Sequence, residues 1–167
     1  MTREERFEAW MCAYEHDVLR TCLVILCDRS LAEDALQETF LKVWRHMDGY
    51  EGRNQATVRT WILSIAVNTC RDQRKSAWFR RRREESPVED ATLPAAGVPQ
   101  EARELYIDVQ RLPDKYKEAV LLYHYHQLTK KETAEMLHIS RAVLDRRLNK
   151  AYAALGYSRE EVCTDEE

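Results

Sequence analysis

The sequence predicts an all-α protein of two small helical domains joined by a flexible acidic linker. Its 167 residues include only four glycines and four prolines, which leaves little of the turn chemistry that a β-rich fold needs. Apolar side chains recur at helical spacing on both sides of one stretch that has no period. We therefore expect domains over residues 1–83 and 101–157, a linker over 84–100 and an acidic tail over 158–167.

Two helices are predicted at the start of the chain. Over residues 3–27 the apolar side chains form a helical stripe: Phe7, Trp10, Met11, Tyr14, Val18, Cys22 and Ile25. Ser30 and Glu33 have the spacing of a capping box, in which each side chain satisfies a backbone N–H at a helix start. The second helix is therefore predicted to begin after Ser30 and to extend to about Met47.

The second predicted helix has two unlike faces. Its apolar positions at helical spacing are Leu36, Phe40, Val43 and Met47. The other side carries Asp34, Gln37, Glu38, Leu41 and Arg45. An exposed leucine among acids and an amide is typical of a surface that a partner covers. The alternative is an ordinary solvated helix face with a single exposed leucine.

A loop follows, over residues 48–55, because this stretch contains two glycines and an asparagine. Four of its side chains combine an aromatic ring with hydrogen-bonding groups and could hold an unstacked base: Tyr50, Arg53, Asn54 and Gln55.

The third predicted helix divides into a core face and a polar face. The predicted core face consists of Val58, Trp61, Ile62, Ile65 and Thr69. The polar face consists of Thr60, Ser64, Asn68, Arg71, Lys75 and Trp78. Residues 71–83 contain seven basic groups and one acidic group, a charge that suits a nucleic-acid strand. A solvated face with a basic end is the alternative.

The second domain ends in a predicted helix-turn-helix. Helices are expected over 101–111 and 114–127, separated by Leu112-Pro113, since proline is tolerated at a helix start but not inside one. Thr129 and Glu132 form a second capping box, and Ser140 is a good N-cap for the last helix. A short helix, a tight turn and a longer helix are typical of DNA-binding modules, although many helical hairpins share this pattern.

The last helix separates buried from outward positions. Its predicted buried stripe is Leu144, Leu148, Ala151 and Leu155. The predicted DNA-facing positions are Arg141, Ala142, Asp145, Arg146, Asn149 and Lys150. Arginine can bond guanine and asparagine can bond adenine, each through two hydrogen bonds, which suits a helix in a major groove.

Other classes of function find little support. The sequence has no apolar run of about 20 residues and no apolar N-terminal segment, so we expect a cytoplasmic protein. Cys12 and His16 lie one helical turn apart, but their spacing matches no common zinc site, and we expect no metal and no cofactor. The sequence contains no phosphate-binding glycine loop, HExxH or nucleophile elbow, which argues against an enzyme with a small-molecule substrate.

Several of these pieces together resemble one family. The segments AEDALQETFLKVWRHM (32–47), TWILSIAVNTCRDQRK (60–75) and LPDKYKEAVLLYHYHQLTKKETAEMLHIS (112–140) are similar to bacterial sigma factors of the sigma-70 family. The two-domain organisation resembles its extracytoplasmic-function (ECF) group. The resemblance implies a non-catalytic subunit that binds core RNA polymerase and promoter DNA and that an anti-sigma factor commonly holds inactive.

The resemblance also implies roles for individual residues. Asp34, Gln37, Glu38 and Leu41 match the surface that docks on the clamp coiled coil of the largest polymerase subunit, and the flap region is a further expected contact. The loop Tyr50–Gln55 matches the loop that receives a flipped base of the −10 element. Non-template strand contacts are expected at Asn68, Arg71, Arg74 and Lys75, whereas Trp61 matches a core aromatic.

The last helix departs from the family pattern. It reads SRAVLDRRLNKA, with Asp145 where the family usually has a cation. A carboxylate near phosphates repels them unless it accepts from a cytosine amino group or pairs with a neighbouring arginine. We therefore expect an unusual −35 sequence. A stand-alone helix-turn-helix regulator with an N-terminal sensor or dimerisation domain is the alternative function.

Overall fold

In a computed structural model of the chain, residues 1–50, 57–76 and 100–157 are described. The predictions made for Arg53, Asn54 and Gln55, for Trp78 and the basic run 80–83, for the linker before Gln100 and for the tail 158–167 lie outside these residues.

All regular structure within the described residues is helical, so the predicted all-α class is confirmed. The helices are α1 (Arg3–Leu26), α2 (Arg29–His46), a 3-10 turn (Met47–Gly49), α3 (Val58–Arg74), α4 (Gln100–Arg111), α5 (Asp114–Val120) with a π-helical turn (Leu121–Tyr125), α6 (Lys130–Leu137) and α7 (Arg141–Leu155). The chain divides into two compact units, Met1–Thr92 and Leu93–Glu167.

In the first unit α1, α2 and α3 pack against one another in all three pairs. Their shared core is mainly apolar, and it includes Val18, Ile25, Ala35, Val43, Met47, Ile62 and Ala66. A half-buried ion pair between Asp17 Oδ2 and Arg59 Nε, 2.9 Å apart, joins the middle of α1 to the first turn of α3. This packing leaves one face of α2 and one face of α3 free of the core.

The start of α2 differs from the predicted capping box at Ser30 and Glu33. The N-cap is Asp28, whose Oδ1 accepts a hydrogen bond from the Leu31 N–H at 2.9 Å. Glu33 Oε1 instead accepts from Arg29 Nε at 3.1 Å. Aspartate caps a helix as well as serine does, and Cys27, in the left-handed conformation, ends α1 immediately before it. The helix therefore begins at Arg29, and the prediction based on Ser30 was wrong.

This N-cap gives a direct stability prediction. Asp28→Ala is expected to lower the free energy of unfolding of the first unit by about 1 kcal/mol, because the Leu31 N–H loses its acceptor. Ser30→Ala is expected to change it by less than about 0.5 kcal/mol, since Ser30 lies within the helix and is exposed. All four tryptophans lie before residue 84, so tryptophan fluorescence in urea reports on the first unit alone. Equal losses from both variants would contradict the assignment of the cap.

The buried face of α3 is displaced from the predicted stripe by about one residue position. The buried side chains are Ile62, Leu63, Ala66, Val67, Thr69 and Cys70. Val58, Trp61 and Ile65, which were predicted to be in the core, are only half-buried. The reason is that α3 packs against both α1 and α2, so its buried arc is wider than a single stripe and is centred near Ala66.

In the second unit α5 and α7 form the largest helix contact, and α6 packs on α7. The helix predicted over 114–127 is present, but its last turn is π-helical and ends at Tyr125, with His126 as the C-cap. The capping box of Thr129 and Glu132 is confirmed, and Ser140 Oγ accepts from the Val143 N–H as the N-cap of α7. His138, in the left-handed conformation, ends α6 and turns the chain towards α7. The helix-turn-helix is therefore formed by α6 and α7.

Within the described ranges, none of the helices has the length and apolar character needed to span a membrane.

Candidate partner and nucleic-acid interfaces

The outer face of α2 is the first candidate interface. Asp34 and Gln37 are exposed, Glu38 is half-exposed, and Leu41 is 49% exposed. Ala32, Ala35, Thr39 and Val43 hold the opposite side of the helix in the core. Because these buried residues hold the helix in place, its outer face is a preformed surface in which one apolar side chain is surrounded by polar groups.

The outer face of α3 is the second candidate. Asn68 and Lys75 are exposed, and Arg71 and Arg74 are partly exposed, as the predicted polar face requires. Ser64 does not share this role, because its Oγ donates to the Trp61 carbonyl at 2.6 Å. Thr60 Oγ1 lies 3.0 Å from the hydroxyl of the N-cap residue Thr57. The exposed part of this face therefore consists mainly of the Asn68 amide and the cationic side chains at its C-terminal end.

An aromatic cluster connects α1, α3 and the end of the 3-10 turn. The Tyr50 ring lies 4.9 Å from the Trp61 ring and 5.8 Å from the Trp10 ring, measured between centroids. Trp10 and Trp61 are 6.1 Å apart. The sequence placed Tyr50 in a loop and Trp61 in the core, and the structure brings them together with both rings half-buried. Periodicity along one helix could not have indicated this contact.

The outer face of α7 is the third candidate. Leu144, Leu148 and Ala151 are buried, as predicted, whereas Leu155, the last residue of the helix, is only half-buried. Five of the six predicted DNA-facing side chains are exposed: Arg141, Ala142, Arg146, Asn149 and Lys150. These residues follow the capped N-terminus of the helix. In helix-turn-helix proteins of known structure, that end of the second helix contacts base edges in the major groove.

Asp145, the sixth position, has a cationic partner from the other helix of the motif. Its Oδ1 lies 3.5 Å from Nζ of Lys130, the first residue of α6. The Lys130 ammonium also lies 5.9 Å from the centre of the Tyr123 ring. The carboxylate that departs from the family pattern is thus paired with a lysine rather than with a neighbouring arginine of its own helix.

A second contact that sequence reasoning missed joins α7 to the π-helical turn. His124 Nε2 and the Tyr152 hydroxyl form a hydrogen bond of 2.5 Å, and the two rings pack edge to face. A π-helical turn displaces the register of the side chains by one position. This displacement could not have been predicted from helical periodicity, and it places His124 against α7.

Cys12 is exposed and Cys22 and Cys70 are buried, and none of the described cysteines forms a disulfide. In the part of the chain that the structure describes, no group of three or more His, Cys, Asp or Glu side chains is arranged to hold a metal ion.

Two family descriptions match different parts of the chain. Residues 11–80 match the family described as Sigma-70 region 2, and residues 109–155 match Sigma-70, region 4. The chain is 30% identical over 151 residues to the ECF RNA polymerase sigma factor SigM of Bacillus subtilis (strain 168), with 85% of each chain covered. It is 28% identical to the RNA polymerase sigma-E factor of Streptomyces avermitilis, over 89% of this chain and 82% of that one.

Solved structures show the same fold. The sigma factor RpoE, in its co-crystal structure with the anti-sigma factor NepR from Bartonella quintana, matches with a TM-score of 0.73 at 18% identity, over 97% of this chain and 99% of that one. Both family matches occur in the predicted order, and the relative of 30% identity spans both units. The chain therefore belongs to the extracytoplasmic-function group of the sigma-70 family of RNA polymerase sigma factors.

Proposed function

We propose that this chain binds core RNA polymerase and directs it to promoters by contacting a −10 element with its first unit and a −35 element with its second. The observation that supports this most is the presence, in one chain, of an exposed amide-and-cation face on α3 and an exposed recognition face on α7. A stand-alone regulator needs only the second of these faces. The proposed domains are residues 1–83 and 101–157, with a linker over 84–100 and a tail over 158–167.

Polymerase binding is assigned to the outer face of α2. Asp34, Gln37 and Glu38 supply polar contacts around the half-exposed Leu41. An apolar side chain within a polar rim suits the clamp coiled coil of the largest polymerase subunit, because burying it excludes water from the polar contacts. A further contact of the second unit with the flap region is part of the proposal.

Contact with the −10 element is assigned to the α3 face and the loop before it. Asn68 is proposed to contact a base, and Arg71, Arg74 and Lys75 to hold phosphates of the opened strand. The flipped base is assigned to the loop that begins at Tyr50 and includes Arg53, Asn54 and Gln55. This division is supported by the exposure of Asn68 and Lys75 and by the basic end of α3.

Contact with the −35 element is assigned to the outer face of α7. Arg146 and Asn149 have the donors that bond guanine and adenine edges, and Arg141 and Lys150 are proposed to contact phosphates. Ala142 leaves room for close approach of a base. Asp145 is proposed to select the base that it faces.

An inhibitory protein partner is also proposed. The Bartonella quintana sigma factor RpoE was solved with the anti-sigma factor NepR, and CnrH was solved with the cytosolic domain of CnrY. We infer that a comparable anti-sigma factor binds this chain. The chain itself is proposed to catalyse no reaction, to need no cofactor, and to act in the cytoplasm, where polymerase and promoters meet.

Reconstitution tests this function. The full chain is added to bacterial core RNA polymerase, and the pair transcribes a pool of linear duplex templates randomised over the −10 and −35 positions. We expect transcripts from a defined subset of templates that depend on the added chain. No association with core polymerase would contradict the proposal, and specific duplex binding by the chain alone would favour the stand-alone regulator.

A further inference from the structure

The short turn between α2 and Tyr50 is held by the first two turns of α1. Asp48, in this turn, is bound by two arginines at once. Arg3 Nε lies 2.9 Å from Asp48 Oδ2, and Arg6 Nη2 donates to Asp48 Oδ1 at 3.1 Å. The two arginines are three residues apart, which is the spacing of neighbouring side chains on a helix. Both therefore lie on the face of α1 that is next to the 3-10 turn.

Both arginines also contact aromatic rings beside the turn. The Arg3 guanidinium lies 4.0 Å from the centre of the Trp44 ring and donates to the Trp44 carbonyl near the end of α2. The Arg6 guanidinium lies 5.5 Å from the centre of the Trp10 ring. Trp10 in turn packs on Tyr50 and Trp61. A continuous set of contacts therefore runs from Arg3 and Arg6 through the turn to Tyr50.

The turn has little internal support of its own. It spans only Met47–Gly49, and the Tyr50 N–H donates to the Met47 carbonyl at 3.2 Å. Buried Met47 fixes one end of the turn, whereas Asp48 and Gly49 are exposed. The direction in which the chain leaves α2 therefore depends on the groups that hold Asp48. Arg3, Arg6 and Trp10 precede the residues matched to Sigma-70 region 2, which begin at residue 11.

We propose that Arg3, Arg6 and Asp48 are positioning residues for −10 recognition: the ion pairs fix the turn so that Tyr50 is held against Trp10 and Trp61 at the start of the base-contacting loop. This inference rests on the proposed function of that loop. None of the three side chains is assigned a contact with DNA. They act by selecting one position of Tyr50, and their loss is expected to reduce discrimination between −10 bases more than it reduces binding to core polymerase.

The test uses the full chain with bacterial core RNA polymerase and the randomised template pool. Asp48→Asn is expected to lower the enrichment of the preferred over the disfavoured −10 bases by about fivefold, the size expected for two exposed ion pairs on one carboxylate. The Arg3→Gln/Arg6→Gln double variant should lose a similar factor. Asp48→Glu keeps the charge and is expected to retain most of the discrimination.

Glu33→Gln is the matched control, because it removes the Arg29–Glu33 pair, which is also a solvent-exposed ion pair and lies away from the turn. It should leave −10 discrimination unchanged. Urea unfolding and affinity for core polymerase are measured for every variant. A loss of discrimination in Asp48→Asn at unchanged core affinity supports the inference.

Three results would overturn it: unchanged discrimination in Asp48→Asn, equal losses in Asp48→Glu and Asp48→Asn, or a loss that simply follows reduced stability. Failure of the proposed function is distinguishable from these, because the unaltered chain would then show no −10 preference at all.

Discussion

Leu41→Asp is expected to weaken binding of the chain to core RNA polymerase by about a hundredfold. Leu41 is 49% exposed on α2, so the apolar area that a partner covers contributes about 1 kcal/mol, and a carboxylate placed in the same contact adds a desolvation cost of about 2 kcal/mol. Within the helix the new charge lies three residues from Glu38, which repels it, and four residues from Arg45, which attracts it. These two effects offset each other, so the loss is expected from the contact with the partner.

The second unit provides a matched control for this substitution. Leu105 on α4 is 41% exposed, and Leu105→Asp makes the same chemical change at a similar exposure. Because the second unit is proposed to contact the flap region, both variants are also titrated against the isolated clamp coiled coil. We expect Leu105→Asp to alter affinity for the coiled coil by less than about threefold, the range of an ordinary surface substitution. Affinity is measured by titrating labelled chain with core polymerase, and far-UV circular dichroism checks that both variants remain helical. Equal losses from the two variants would refute the assignment of the α2 face.

Much of the fold was predictable because helical periodicity and capping are local. The caps at Thr129 and Ser140 each involve a side chain and a backbone N–H three residues away, so the sequence contains both partners. The error at the start of α2 arose because two neighbouring residues can each form a local cap. Ser30 and Asp28 are both good caps, and the choice between them depends on Cys27, where α1 ends in a left-handed conformation.

The sequence allowed prediction of which helix faces are exposed at the candidate interfaces, but not of which side chains contact one another there. The exposure of Leu41, Asn68 and Asn149 follows from which side of each helix is apolar. By contrast, the Arg3–Asp48 pair joins α1 to the 3-10 turn, and the Lys130–Asp145 pair joins α6 to α7. Periodicity along one helix gives no information about which charges meet across two helices, since this depends on how the helices pack.

The Lys130–Asp145 pair changes what is expected of the −35 contact. The Lys130 ammonium partly neutralises the charge of the Asp145 carboxylate. Asp145 can therefore lie near DNA phosphates with less repulsion than an unpaired carboxylate would meet. Asp145 remains partly exposed and keeps an oxygen that can accept from a cytosine amino group. A −35 element with a cytosine opposite Asp145 satisfies both requirements.

Asp145→Lys is therefore expected to change the preferred base at one −35 position by about 10- to 100-fold, the discrimination that one good base contact supplies. Selection from the randomised template pool by the holoenzyme measures this change. Lys130→Gln leaves the carboxylate but removes its partner, so it should weaken all −35 templates alike. Glu135→Lys, an exposed site on α6, controls for the change in net charge and should raise binding without altering the preference. An unchanged −35 preference in Asp145→Lys would show that Asp145 contacts no base.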